Sequence, residues 1–230
     1  MFNHNTSSPV RLTLRALACL IGYPGAELRA LLPGLIDALR LEQSVAPARL
    51  RELQQLAEQL QAMDPFEAEA RYVDTFDRGH QTSLHLFEHV HGDSRDRGQA
   101  MVDLNALYRR SGFVLAVNDL PDYLPAVLEY LASRPAEEVH ELLEDCAHIL
   151  RAVGERLIAG GSPYAAVFAA LLDLHGAAPL AAAKGAAKAQ AGQSLDDEWD
   201  EVPVEFGPNA AAHGVQQSRP QFIRFVPKNH

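Results

Sequence analysis

The stretch Pro135-Ala136-Glu137-Glu138-Val139-His140-Glu141-Leu142-Leu143-Glu144-Asp145-Cys146-Ala147-His148-Ile149-Leu150-Arg151-Ala152-Val153-Gly154-Glu155-Arg156-Leu157 repeats its large apolar residues in steps of three and four, and never alternates by two for long. That period is the signature of a helix with one buried face, since residues three and four apart share a side of the 3.6-residue turn. Pro135 suits the start, where its missing N–H costs no ladder bond, and Gly160-Gly161 suits the end.

The same period recurs outward in both directions. Ser8 and Pro9 are expected to open a first helix bearing Val10, Leu14, Leu17, Ala18 and Ile21, with a turn at Tyr23-Pro24-Gly25. Leu28, Leu31, Leu32, Leu35, Ile36 and Leu39 form a second stripe, which Pro33-Gly34 is expected to kink or split because proline removes a ladder donor. Leu50, Leu53, Leu56, Leu60 and Met63 form a third. Asp64-Pro65 caps a fourth, with Phe66, Ala70, Val73 and Phe76 expected to face inward and Tyr72 beside them. A short helix is expected from Leu84 to His91, capped by Ser83 and stopped by Gly92. A longer one, capped by Asp93 or Ser94, carries Met101, Leu104, Leu107 and Tyr108 to Ser111-Gly112. Phe113 to Leu120 reads as an extended connection. Pro121 is expected to open a helix with Leu124, Val127, Leu128 and Leu131, and Ser162-Pro163 the last, with Val167, Phe168, Leu171 and Leu172. The expected fold class is all-α, a single globular multi-helix domain.

Composition bounds what such a domain does. A formal net charge of −10 in 230 residues repels phosphate backbones and anionic headgroups, so neither nucleic acid nor a membrane surface is an expected partner. No segment approaches the roughly 20 apolar residues needed to span a bilayer, and the first residues show no secretion signal, so the expected location is the cytoplasm. Cys19 and Cys146 form no C-x-x-C and read as reduced core residues. After His175 the composition turns to Gly, Ala, Lys and Gln, too poor in apolar surface to offset ordering entropy. The expected organisation is a flexible N-terminus (1–7), a helical domain (8–175) and a largely disordered tail (176–230) that begins with a linker to residue 193. Asp196 to Phe206, acidic and aromatic around Trp199, reads either as a docking motif or as a solvated tail.

The most specific chemistry lies in Thr82 to Met101. His85-Leu86-Phe87-Glu88-His89 matches H-x-x-E-H, in which two histidines one turn apart on a helix ligate zinc and the glutamate activates water. That reading needs a third ligand from elsewhere, and Glu138, Glu141 and Glu144 offer one only by composition. The alternative is a helical corner whose charges cap helices: Asp93, Ser94 and Asp96 at a helix start, with Arg95 and Arg97 in ion pairs. There is no nucleophile elbow and no glycine-rich phosphate loop.

The run Ser83 to Leu104, followed by Leu120-Pro121-Asp122-Tyr123-Leu124-Pro125, resembles the NarJ family of nitrate reductase assembly chaperones over roughly residues 10 to 172. That family is similar to the TorD and DmsD groups of all-helical chaperones dedicated to molybdoenzymes. Their aromatic-x-x-Leu-Phe element is matched here by Tyr72-Val73-Asp74-Thr75-Phe76, with Thr75 at the leucine position, and their Pro-Asp-His element by Pro121-Asp122-Tyr123.

The resemblance implies a chaperone without catalytic residues or a stably bound cofactor or metal. It would bind the N-terminal segment of the nitrate reductase alpha subunit, and the apo alpha-beta complex, in the cytoplasm. There it would hold the apoenzyme competent for insertion of bis-molybdopterin guanine dinucleotide and an iron–sulfur cluster before membrane attachment, and cofactor-biosynthesis proteins are further implied partners. It would not be part of the final enzyme. The residues expected to form or support a peptide groove are Tyr72, Phe76, Leu86, Phe87 and Tyr123, with His85, His89, Arg97 and Asp122 as polar contacts. Large aromatics are also common core residues, so Phe76 and Phe87 have a structural reading beside the functional one. Histidines at 85, 89 and 91 suggest an affinity that changes between mildly acidic and neutral pH. A zinc-dependent hydrolase and a generic helical adaptor acting through the tail remain the competing readings.

Overall fold

In the computed structural model, residues 10–78, 80–91, 95–115 and 119–180 are described. Their regular elements are the helices α1 (Arg11–Leu20), α2 (Ala26–Glu42), α3 (Pro47–Ala62), α4 (Pro65–Phe76), α5 (Glu88–His91), α6 (Arg95–Arg110), α7 (Leu124–Leu131), α8 (Ala136–Ala159) and α9 (Ala165–His175). The fold is all-α; one isolated antiparallel bridge joins His85 to Tyr123.

Leu14, Leu17 and Leu20 of α1, with Ile21 just beyond it, are fully buried, because α1 is packed between α2 and α7. From there the packing runs α2 on α3, α3 on α9 and α9 on α8. The opening stretch is α8, whose Val139, Leu143, Cys146, Ile149, Leu150, Val153 and Leu157 are all buried. Gly154 permits a close approach: a Cβ there would meet the Phe168 side chain of α9 at 3.1 Å and Leu180 at 2.6 Å. The chain therefore stays on α8 as far as Leu180, and the Arg151 guanidinium donates to the carbonyls of Ala178 and Pro179.

Four local expectations are corrected. α2 runs unbroken through Pro33, which is exposed, and its buried residues Leu28, Leu32, Ile36 and Leu39 stay on one stripe. Packing of that stripe outweighs the one ladder bond that proline removes.

Of the residues expected to face inward on α4, Phe76 is buried, but Phe66 is 82% exposed, Ala70 is exposed and Val73 is half-buried, and Ala68 and Tyr72 are buried in their place. The buried set Ala68, Tyr72 and Phe76 recurs by four and the expected set by four and three, and both spacings suit a helix. Tyr72 selects between them, because its hydroxyl reaches the Ile21 carbonyl and its ring meets three other aromatic rings. Asp64 caps the helix as expected, accepting from the N–H groups of Phe66 and Glu67.

The segment from Leu84 does not begin a helix; α5 starts at Glu88. α7 likewise starts at Leu124 rather than at Pro121, with Pro125 in its first turn. Both departures have one cause, the pairing of these two segments with each other described below. Ser8, Pro9, Gly92, Asp93, Ser94 and the tail around Trp199 lie outside the described residues.

Candidate functional site

Two chain segments meet where neither is helical. The Leu124 N–H donates to the Leu84 carbonyl at 2.9 Å and the Leu86 N–H to the Asp122 carbonyl at 3.1 Å, which pairs His85 with Tyr123. The Asp122 side chain closes the corner from inside. It is fully buried, accepts from the Phe87 N–H through Oδ2 at 3.1 Å and holds His85 Nδ1 at 3.2 Å through Oδ1. A carboxylate only accepts, so Nδ1 carries the proton. Tyr108 of α6 ties the corner to the core by donating to the Pro121 carbonyl at 2.8 Å.

The hydrogen bond to Asp122 raises the His85 pKa above its usual value; partial burial opposes this, and the Asp122 and Glu88 charges add to it. Glu88 is shifted the other way. Burial resists ionisation, but a hydrogen bond from Ser83 and the nearby Arg97 and His85 outweigh it and lower its pKa. Arg97 Nη2 lies 3.1 Å from Glu88 Oε1, so α6 is pinned to α5 by an ion pair with both partners about three-quarters buried. His89 Nε2 donates to the Ser83 carbonyl at 2.9 Å.

Under the corner lies an aromatic layer. The Tyr72 hydroxyl donates to Ile21 O at 3.2 Å and, having only one proton, accepts from the Tyr123 hydroxyl at 3.0 Å. Phe76 packs on Tyr72 and Tyr164 with ring centroids 5.0 Å from each. The His85 ring faces Tyr123 at 5.4 Å.

The nine residues expected at a peptide site therefore share one region but divide by depth. Tyr72, Phe76, Leu86, Phe87 and Asp122 are at most 3% exposed and build the corner from within. His85, His89, Arg97 and Tyr123 are partly exposed. Three contributors were missed: Ser83, Tyr108 and Tyr164. Tyr108 was read only as part of an apolar stripe, and no local pattern connects its hydroxyl to a carbonyl 13 residues later.

The H-x-x-E-H geometry is not formed. His85 sits in the bridge and His89 in α5, so they do not share a helix face, and the ring nitrogens His85 Nδ1 and His89 Nε2 are turned to Asp122 and to Ser83. For the same reason the three histidines are not a row on one helix. Among the described residues no cluster of three or more His, Cys, Asp or Glu is arranged to hold a metal ion. No described helix is long and apolar enough to cross a membrane.

Residues 42–170, which take in both segments of the corner, match the family model described as nitrate reductase delta subunit. The nitrate reductase molybdenum cofactor assembly chaperone NarJ of Escherichia coli K12 is 43% identical over 192 residues, 81% of each chain. The chain belongs to the NarJ family. A probable chaperone of the same description, NarW of Escherichia coli K12, is 44% identical over 143 residues, covering 60% of this chain and 62% of its own. The probable NarJ of Bacillus subtilis is 34% identical over 163 residues, 70% of this chain and 87% of its own. As a member of the NarJ family the chain has a chaperone role in nitrate reductase assembly. In the corner, the buried Asp122 carboxylate ties the two segments together beside the His85 and Tyr123 rings.

Proposed function

We propose that this chain binds the N-terminal segment of the nitrate reductase alpha subunit in the cytoplasm and holds the apoenzyme open for molybdenum cofactor and iron–sulfur cluster insertion before membrane attachment. The observation that carries the reading is the 43% identity to a molybdenum cofactor assembly chaperone over 81% of the chain. His85, Tyr123, His89 and Arg97 are assigned as surface contacts. Tyr72, Phe76, Leu86, Phe87 and Asp122 support them from below.

The physical chemistry suits a partner that is later released. A net charge of −10 favours a basic segment and speeds encounter. Three or four apolar anchors at roughly 1.5 to 3 kcal/mol each, less about 2 to 5 kcal/mol for ordering a peptide, leave a moderate affinity. The cofactor is cargo for the partner enzyme and needs no resident site here.

The test is co-purification from cells making nitrate reductase. The alpha subunit is expected to accompany the chain, and to be lost when its N-terminal segment is removed. Equal recovery of the truncated subunit would refute the proposed contact.

A further inference from the structure

The outer face of α4 carries an exposed apolar stripe. Phe66, Ala70 and Val73 recur at i, i+4 and i+7, with Phe66 and Ala70 exposed. Tyr23, 50% exposed, stands edge-on to Tyr72 beside the same helix. Carboxylates flank this stripe, Glu69 beside Ala70 in sequence and Asp77 at the C-cap. Tyr23 leads toward the corner, because the Tyr72 ring it meets carries the hydroxyl that bonds to Tyr123.

A segment of matching chemistry is present on the same chain. No Asp or Glu follows Glu205, whereas Arg219, Arg224 and Lys228 are interleaved with Phe222, Ile223, Phe225 and Val226. About 38 residues separate Leu180 from Arg219, and a flexible linker of that length has a root-mean-square span of about 35 Å. A globule of this size is about 40 Å across, so the segment is long enough to reach α4 from α8.

We propose that residues 219–228 dock on the outer face of α4, their aromatic side chains covering Phe66 and Val73 and their cations lying beside Glu69 and Asp77. The tail then shields a surface adjoining the corner and competes with an incoming basic segment; the competition, unlike the docking, rests on the proposed function. Tethering supplies an effective concentration of about 1 mM, so an intrinsic Kd of about 100 μM would keep the segment docked about 90% of the time. A partner that needs the undocked state would then bind about tenfold more tightly once docking is abolished.

The test is nuclear magnetic resonance of the full chain at two concentrations, with Phe222→Ser/Phe225→Ser and Phe66→Ser variants. In the wild type, signals of residues 219–228 are expected to be broadened and displaced from coil positions, independently of concentration. Either variant is expected to return them to coil positions, the tail variant also shifting Ala70 and Val73 signals. A synthetic 217–230 peptide added to the tail variant is expected to reverse that shift. Coil-like tail signals in the wild type, or unmoved α4 signals, would overturn the docking, and so would concentration dependence, which assigns the face to a second copy's tail. Affinity for the alpha-subunit segment is measured separately: about tenfold tightening in the tail variant supports the competition, and no change overturns it. Failure of every variant to bind that segment would sink the proposed function while leaving the docking result to stand.

Discussion

His85 Nδ1 lies 3.2 Å from Oδ1 of Asp122, a carboxylate with no solvent exposure, and that contact joins two segments 37 residues apart. Asp122→Ala is expected to destabilise the fold by about 3 to 5 kcal/mol, because it leaves the Phe87 N–H and the imidazole without an acceptor. Asp122→Asn keeps one acceptor and is expected to cost less while lowering the His85 pKa. Proton resonance titration of His85 checks the shift, and an unchanged pKa would show that the contact does not govern its charge.

The corner also sets a stability window. A raised His85 pKa contributes stability that is complete below its unfolded value of about 6.5 and is lost as pH rises through the folded value. A lowered Glu88 pKa contributes stability that is present above the ordinary carboxylate range and is lost as pH falls through the folded value. The two overlap in mildly acidic solution. Urea unfolding between pH 4 and pH 8 is expected to show His85→Gln removing part of the decline on the alkaline side; parallel curves for variant and wild type would exclude a His85 contribution.

Burial separates two phenylalanines that are equally apolar in sequence. Phe87 is fully buried and Phe66 is 82% exposed, so Phe87→Ala is expected to cost about 3 to 5 kcal/mol and Phe66→Ser no more than about 1.5 kcal/mol, the stabilisation that a docked tail would contribute. Chemical denaturation of both variants decides it. Comparable losses would mean that α4 is rotated from the orientation described.

Tyr72→Phe removes a hydroxyl shared by Ile21 and Tyr123 while keeping the ring packing. The expected loss is about 1 kcal/mol, or roughly 2 to 5 °C in Tm. A change of several times that size would point to a wider rearrangement of the aromatic layer.

Most of the helical architecture was legible because it depends on spacing alone. α8 buries the stripe its sequence shows, and α6 ends at Arg110, in the turn before Gly112, whose φ of +75° suits glycine. What was not legible depended on distant partners. Both faces of α4 satisfy the same period, and only the reach of Tyr72 to Ile21, 51 residues away, chooses between them. The histidine-rich run reads as a helix because Leu84, Leu86, Phe87 and Val90 permit one; its backbone pairs instead with Asp122 to Leu124, a contact that no local pattern encodes. The residues expected at a site fall in one region of the fold, and which of them are buried and which exposed is set by contacts that the sequence does not encode locally.

The measurement that bears most directly on the account is calorimetry of the alpha subunit's N-terminal peptide with the wild-type chain and with a His85→Ala/Tyr123→Ala variant whose folding is confirmed by its unfolding curve. The account predicts saturable one-to-one binding to the wild type and at least tenfold weaker binding to the folded variant. Equal affinity for the two would show that the His85–Tyr123 corner is not where the segment is recognised.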